Sequence, residues 1–124
     1  MAYDFLKLDL LKSYNTLHNY DLICLSETYL NFSYDNDDDV LSLPGYKLVR
    51  YDHPSGEKKG GVCMYHKESL PIRFLNTYKL TECLICEINI KSKRLFIVSL
   101  YRSPSQSREE FLLFLSNLED IIYD

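Results

Sequence analysis

No stretch of this 124-residue chain approaches the roughly 20 consecutive apolar residues that a membrane-crossing helix needs. Nor does the N-terminus carry a basic segment followed by an apolar one, the pattern of a secretory signal. Together these absences lead us to expect a soluble, intracellular protein with no membrane partner. The chain also lacks an excess of positive charge. Its 14 basic and 18 acidic residues leave a net −4, so there is no overall attraction for nucleic acid and any such contact must be local. Internal repeats, low-complexity tracts and dividing linkers are absent too. With 46% hydrophobic residues, 124 positions suffice for one domain with a real core and are too few for two.

Several familiar chemistries lack their motifs. Asp35, Asp37 and Asp39 open like a calcium loop, but the turn glycine would fall at Val40 and the bidentate acid at Tyr46, so the stretch reads as a solvated loop. "GEKKGG", residues 56–61, has no Gly-Lys-Ser/Thr ending and is not a nucleotide-binding loop. It reads as a basic turn between two strands, with contact of Lys58 and Lys59 to a phosphate backbone as the alternative. Cys83 and Cys86 lie three apart on an expected strand, which points them to opposite faces and argues against a shared zinc. All four cysteines, Cys24, Cys63, Cys83 and Cys86, fall in or beside apolar runs, where reduced core thiols are expected. His18, His53 and His66 are scattered, show no ligand spacing and read as surface residues, and no nucleophile elbow is present.

What is present is an alternation of helix and strand signals. Leu6, Leu10, Tyr14 and Leu17 recur at helical steps behind Asp4, predicting a helix to about His18 with these apolar residues on one face. Asp21 to Ser26 predicts a strand buried on both faces, followed by a long polar loop to Pro44. Tyr46 to Tyr51 and Gly61 to His66 predict two strands around the basic turn. Leu84, Cys86, Ile88 and Ile90 alternate with Ile85, Glu87, Asn89 and Lys91, predicting a half-exposed strand. Lys91 to Lys93 then make a turn, and Leu95 to Leu100, apolar on both faces apart from Ser99, predict a strand near the middle of a sheet. Ser107 and Glu110 form a capping box ahead of a helix whose expected face is Phe111, Leu115, Leu118 and Ile122. The fold class is α/β, an α+β layered domain.

Two polar residues stand just past the ends of apolar strands: Glu27 after "DLICLS" and Tyr101 after "RLFIVSL". In layered α/β domains the crevice beyond strand carboxyl ends is where ligands sit. On residue type alone, Glu27 reads as a cap or a surface acid rather than a functional residue.

The segments "DLICLSETYL", "LPGYKLVRYDHPSGEKKGGVCMYHKE", "RLFIVSLYRSPS" and "SREEFLLFLSNLEDII", taken in this order, resemble the endonuclease/exonuclease/phosphatase family. The resemblance is closest to the apurinic-type endonuclease domain of non-LTR retrotransposons. It implies a two-sheet β-sandwich flanked by helices and hydrolysis of phosphodiesters or phosphomonoesters with a divalent metal. It further implies that Glu27 binds Mg²⁺, or Mn²⁺, and that Tyr101 hydrogen-bonds the scissile phosphate or helps place the attacking water. Arg102, Lys58, Lys59 and Lys67 would then contact nucleic acid.

Parts of the family's pattern have no match in residues 1–124: an early strand with an active-site asparagine, an Asp-x-Asn pair and a late Ser-Asp-His motif. An asparagine of the tyrosine motif corresponds to Ser105. The expectation is therefore a single incomplete domain, a partial sandwich with little or no nuclease activity and weak DNA binding in isolation. No defined oligomer is expected, and uncovered strand edges would make the monomer prone to aggregate. In full-length relatives the domain would sit beside the rest of a reverse transcriptase polyprotein and would need access to DNA in the nucleus. Two alternatives remain at this point: a non-catalytic relic or nucleic-acid-binding module, and a phosphatase of the same family acting on lipid or nucleotide phosphate.

Overall fold

The computed structural model describes residues 5–30, 41–55, 59–77 and 82–123. The elements run α1 (Phe5–His18), β1 (Leu22–Ser26), β2 (Tyr46–Tyr51), β3 (Val62–Lys67), β4 (Ile72–Phe74), β5 (Cys83–Ile90), β6 (Lys93–Leu100) and α2 (Arg108–Tyr123). Two antiparallel three-stranded sheets result, with orders β1-β3-β2 and β4-β5-β6. They stack face to face, and a helix covers the outer face of each.

Three apolar clusters fill the three interfaces of this four-layer stack. Leu8 and Leu11 of α1 pack with Ile23, Leu43, Cys63 and Tyr65 on the outside of the first sheet. Between the sheets, Val62 and Met64 meet Leu84, Cys86 and Ile88. Outside the second sheet, Cys83 and Ile85 meet Phe114, Phe111, Leu118 and Ile121 of α2. Alternation along each strand assigns its residues to these layers. Cys83 and Cys86 accordingly belong to different interfaces, and all four cysteines are free.

Both helices form where the sequence places them, but with other faces inward. In α1 Leu8 is buried at 3%, whereas Leu10, Tyr14 and Leu17 are exposed, Leu17 at 77%. The reason is a polar anchor: Asn15 shares the face of Leu8 and Leu11. Its Oδ1 accepts hydrogen bonds from the Tyr46 hydroxyl and the Tyr20 amide, each at 3.0 Å. A pattern that counts only apolar residues cannot see such an anchor. In α2 the Glu110 amide donates to Ser107 Oγ at 3.1 Å, as the cap requires. Its buried stripe is Phe111, Phe114, Leu118 and Ile121, with Leu115 turned outward.

The last two strands exchange their expected roles. β5 is the central strand of its sheet, with Ile85 and Glu87 buried, and β6 is an edge whose Leu95 is half exposed. Glu87 can lie inward because Arg73 and Arg94, its neighbours on the adjacent strands, both bind its carboxylate, Arg94 Nε at 2.8 Å. Single-strand alternation counts such an acid as solvent-facing. β4, three residues after Pro71, carried no strand signal long enough to read. Lys91 and Ser92 form a two-residue turn with φ of 49° and 68°, the both-positive geometry of a type I′ hairpin.

Two further expectations change. Cys24 is exposed rather than buried, because β1 is an edge strand and its inter-sheet face is only partly covered. His66 is buried rather than at the surface, packed against the Phe74 ring between the sheets with its Nδ1 beside the Lys67 carbonyl. Among the described residues no helix is long and apolar enough to cross a membrane.

Candidate active site

The edge strands β1 and β6 approach one another across the sandwich, and Glu27 and Tyr101 follow immediately after them. Past β1 the backbone turns sharply: Glu27 has φ 53° and Tyr29 has φ 58°. This left-handed conformation costs an ordinary residue roughly 1 kcal/mol and persists only where neighbours enforce it. The enforcement comes from the start of the β3 hairpin arm. The Thr28 amide donates to the Gly61 carbonyl at 3.3 Å and the Tyr29 amide to the Gly60 carbonyl at 2.9 Å. Thr28 is fully buried, so the segment is pinned at its centre.

The two glycines are required by this approach. Both have positive φ, 55° and 87°. A Cβ on Gly61 would stand 2.6 Å from Thr28 Oγ1, and one on Gly60 would collide with the Glu82 carboxylate and lie 3.2 Å from the Tyr101 ring. No larger residue fits without moving the segment that carries Glu27.

Tyr101 is held from the other sheet. Its amide donates to the Glu82 carbonyl at 3.0 Å, and its ring packs against the inter-sheet core. Its hydroxyl hydrogen-bonds the Glu27 carboxylate. Partial burial first, then this bond and the nearby Glu27, Tyr29 and Glu82 charges, push the phenol above its ordinary value. It stays protonated across the neutral range and acts as a hydrogen-bond donor.

Glu27 and Tyr101, singled out in the sequence, are thus brought together from two sheets. Lys59 is exposed and adjoins Gly60, at the rim of the same site. Arg102 turns the other way, with its guanidinium 4.2 Å above the Phe111 ring on α2. Lys67 lies at the far end of the first sheet, beside Asp21 at 3.4 Å and separated from Glu27 by the length of β1. Lys58 and the Asp35, Asp37 and Asp39 stretch lie outside the described residues.

Sequence reasoning missed Glu82, which is only 7% exposed. Its Oε1 accepts the Gly61 amide at 3.1 Å. A signal for it existed. The two-residue turn at Lys91 and Ser92 fixes the hairpin register, which pairs Cys83 with Leu100 and leaves Glu82 opposite Tyr101.

The donor set here is oxygen only, a half-buried carboxylate beside a phenol hydroxyl. That suits a hard cation such as Mg²⁺, which takes one or two carboxylates and keeps its remaining waters, and does not suit zinc. Among the described residues no three acidic, histidine or cysteine side chains converge. Glu27 would therefore hold such an ion with water and phosphate completing its shell.

Among curated proteins nothing matches the chain significantly. Among solved structures, the crystal structure of AP endonuclease LMAP from Leishmania major is similar to it, with TM-score 0.71 and 20% sequence identity over 94% of this chain. The chain spans 43% of the length of that solved chain. At this identity the likeness establishes the fold, an α/β arrangement of two antiparallel sheets between helices. The model of the Endonuclease/Exonuclease/phosphatase family matches residues 3–123. The chain belongs to the endonuclease/exonuclease/phosphatase family.

Proposed function

We propose that this chain supplies the metal-binding and phosphate-facing part of the active site of a divalent-metal-dependent phosphodiesterase acting on DNA, of the retrotransposon endonuclease type. The observation that carries the reading is the hydrogen bond between the Glu27 carboxylate and the Tyr101 hydroxyl, made between residues that follow the edge strands of two different sheets. A structural acid would need only one rigid support. This pair has two: backbone bonds of Thr28 and Tyr29 to the glycine pair on one side, and the Tyr101 amide bond to the Glu82 carbonyl on the other.

In this reading Glu27 binds Mg²⁺ or Mn²⁺, and the ion when bound polarises the phosphate and neutralises charge that builds on its oxygens. Tyr101, kept protonated, donates its hydrogen bond from Glu27 to a non-bridging phosphate oxygen as substrate arrives. Lys59 at the rim attracts the phosphate backbone, and Arg102 on its aromatic platform contacts it one or more nucleotides away. Family membership, the AP endonuclease likeness and the local match of "KKGGV" and "YRSPS" to the retroelement branch support DNA as substrate.

The 124 residues act as one incomplete domain in this scheme. The family's Asp-x-Asn pair and Ser-Asp-His motif have no match in residues 1–124, so this chain by itself is expected to bind the ion and nick DNA poorly. Calorimetric titration of Mn²⁺ into the chain tests the reading. One ion should bind the wild type, and affinity should fall at least about tenfold in Glu27→Ala, the scale of losing a charged ligand. Equal binding by both, or none by either, would remove the metal role from Glu27. DNA binding that ignores the ion and the substitution would then favour a non-catalytic binding module.

A further inference from the structure

Glu82 is a buried carboxylate placed between the two halves of the site. We infer that it is a positioning residue, a side chain that holds the Glu27 and Tyr101 supports in register. The inference rests on the proposed function above for what the register serves.

Three observations converge on it. Its Oε1 accepts the Gly61 amide at 3.1 Å, so the carboxylate fixes the glycine pair whose carbonyls in turn receive the Thr28 and Tyr29 amides. Its carboxyl group fills the space above Gly60 that any Cβ would occupy, which explains why that position is glycine. Its own carbonyl receives the Tyr101 amide at 3.0 Å. One residue thus grips the first sheet by its side chain and the second by its backbone.

The conformation of Glu82 fits the role. It has φ 51°, the same left-handed region as Glu27 and Tyr29, so three non-glycine residues in that region cluster around one glycine pair. Backbone strain gathered in this way marks a place where geometry is enforced for use. Among the described residues Glu82 has no basic partner, and the partner of its carboxylate is the Gly61 amide. A backbone amide needs only one lone pair, and a neutral amide side chain of the same length could accept it equally well.

The test is amide hydrogen exchange combined with Mn²⁺ titration on the 124-residue chain. In Glu82→Ala, exchange at Thr28 and Tyr29 should accelerate about tenfold, the scale of one lost hydrogen bond, while Met64 and Tyr65 in β3 keep their protection. Mn²⁺ affinity should weaken by about the same factor. Glu82→Gln keeps an acceptor oxygen and should stay within about threefold of wild type on both readouts. Gly60→Ala should accelerate exchange in the wild-type background and cost less in Glu82→Ala, because the two groups compete for one space.

Unchanged exchange at Thr28 and Tyr29 in Glu82→Ala would overturn the inference, as would uniform loosening of β3 or a Glu82→Gln variant as impaired as Glu82→Ala. Should Glu82→Ala not fold, Glu82→Gln and Gly60→Ala decide: protection must survive the first and fail in the second. If the wild type binds no Mn²⁺, the metal reading falls while the exchange data still rule on Glu82.

Discussion

Two glutamates five residues apart, Glu87 within β5 and Glu82 just before it, are both buried and have opposite surroundings. Glu87 is 5% exposed and sits between Arg73 and Arg94; Glu82 is 7% exposed and faces a glycine amide with no basic partner among the described residues. Arginine hydrogen bonds hold the Glu87 carboxyl below the ordinary glutamate range, first from Arg94 and then from Arg73. A carboxylate held by three hydrogen bonds from two arginines serves the sheet. A carboxylate that spends one oxygen on a backbone amide beside a second acid and a phenol belongs to a site. Charge alone does not separate them; the partner does.

The largest effect should come from removing what both regions share. Ile85 is fully buried under α2, on the strand that carries Glu87 and that Glu82 leads into. Ile85→Ala should cost about 2–5 kcal/mol in urea unfolding and weaken the site and the Arg73–Glu87–Arg94 cluster together. A loss confined to one end would show that the two regions fold independently.

A smaller effect separates them by pH. Because the folded value of Glu87 is depressed, its stabilisation is fully present above the unfolded glutamate value of about 4.3 and is lost as pH falls through the folded value. Glu87→Gln should therefore be less stable than wild type at neutral pH, with the gap closing in acid. Its Mn²⁺ affinity should match wild type. Urea midpoints measured from neutral to acid pH check the first statement, and a persistent gap in acid would contradict it.

The smallest effect is chemical. Burial pushes the Cys63 thiol up to about 12 and the Cys83 thiol to about 11, whereas Cys24 is exposed, with a thiol raised only by partial burial. A disulfide reagent should label Cys24 alone in the native chain and all four cysteines in denaturant. Substitution of Glu82 should expose neighbouring Cys83 to the reagent, and substitution of Glu87 should not. Mass spectrometry of the labelled chain reads both.

The same contrast explains what could be read from sequence. The helices, the hairpin turn and the Ser107 cap were legible because they depend on local chemistry. Faces were not. Asn15 turns α1 away from its apolar stripe, and the two arginines turn Glu87 inward; both are tertiary partners that one-element periodicity cannot contain. Glu27 and Tyr101 were legible because each follows a strand and sits in a motif of the family. Glu82 was hidden because it precedes its strand, in "TECLIC", and its importance lies in a hairpin register and two glycines far along the chain.

The central claim is that Glu27 binds a divalent ion where the two edge strands end. Paramagnetic broadening by Mn²⁺ in the amide spectrum of the chain tests it most directly, since the effect falls steeply with distance from the ion. Amides of Glu27, Thr28, Gly60, Gly61 and Tyr101 should broaden, those of Lys67, Lys91 and Arg94 should not, and Glu27→Ala should abolish the pattern. Broadening centred on Glu87 or on the acids of α2, or a pattern unchanged in Glu27→Ala, would contradict the account.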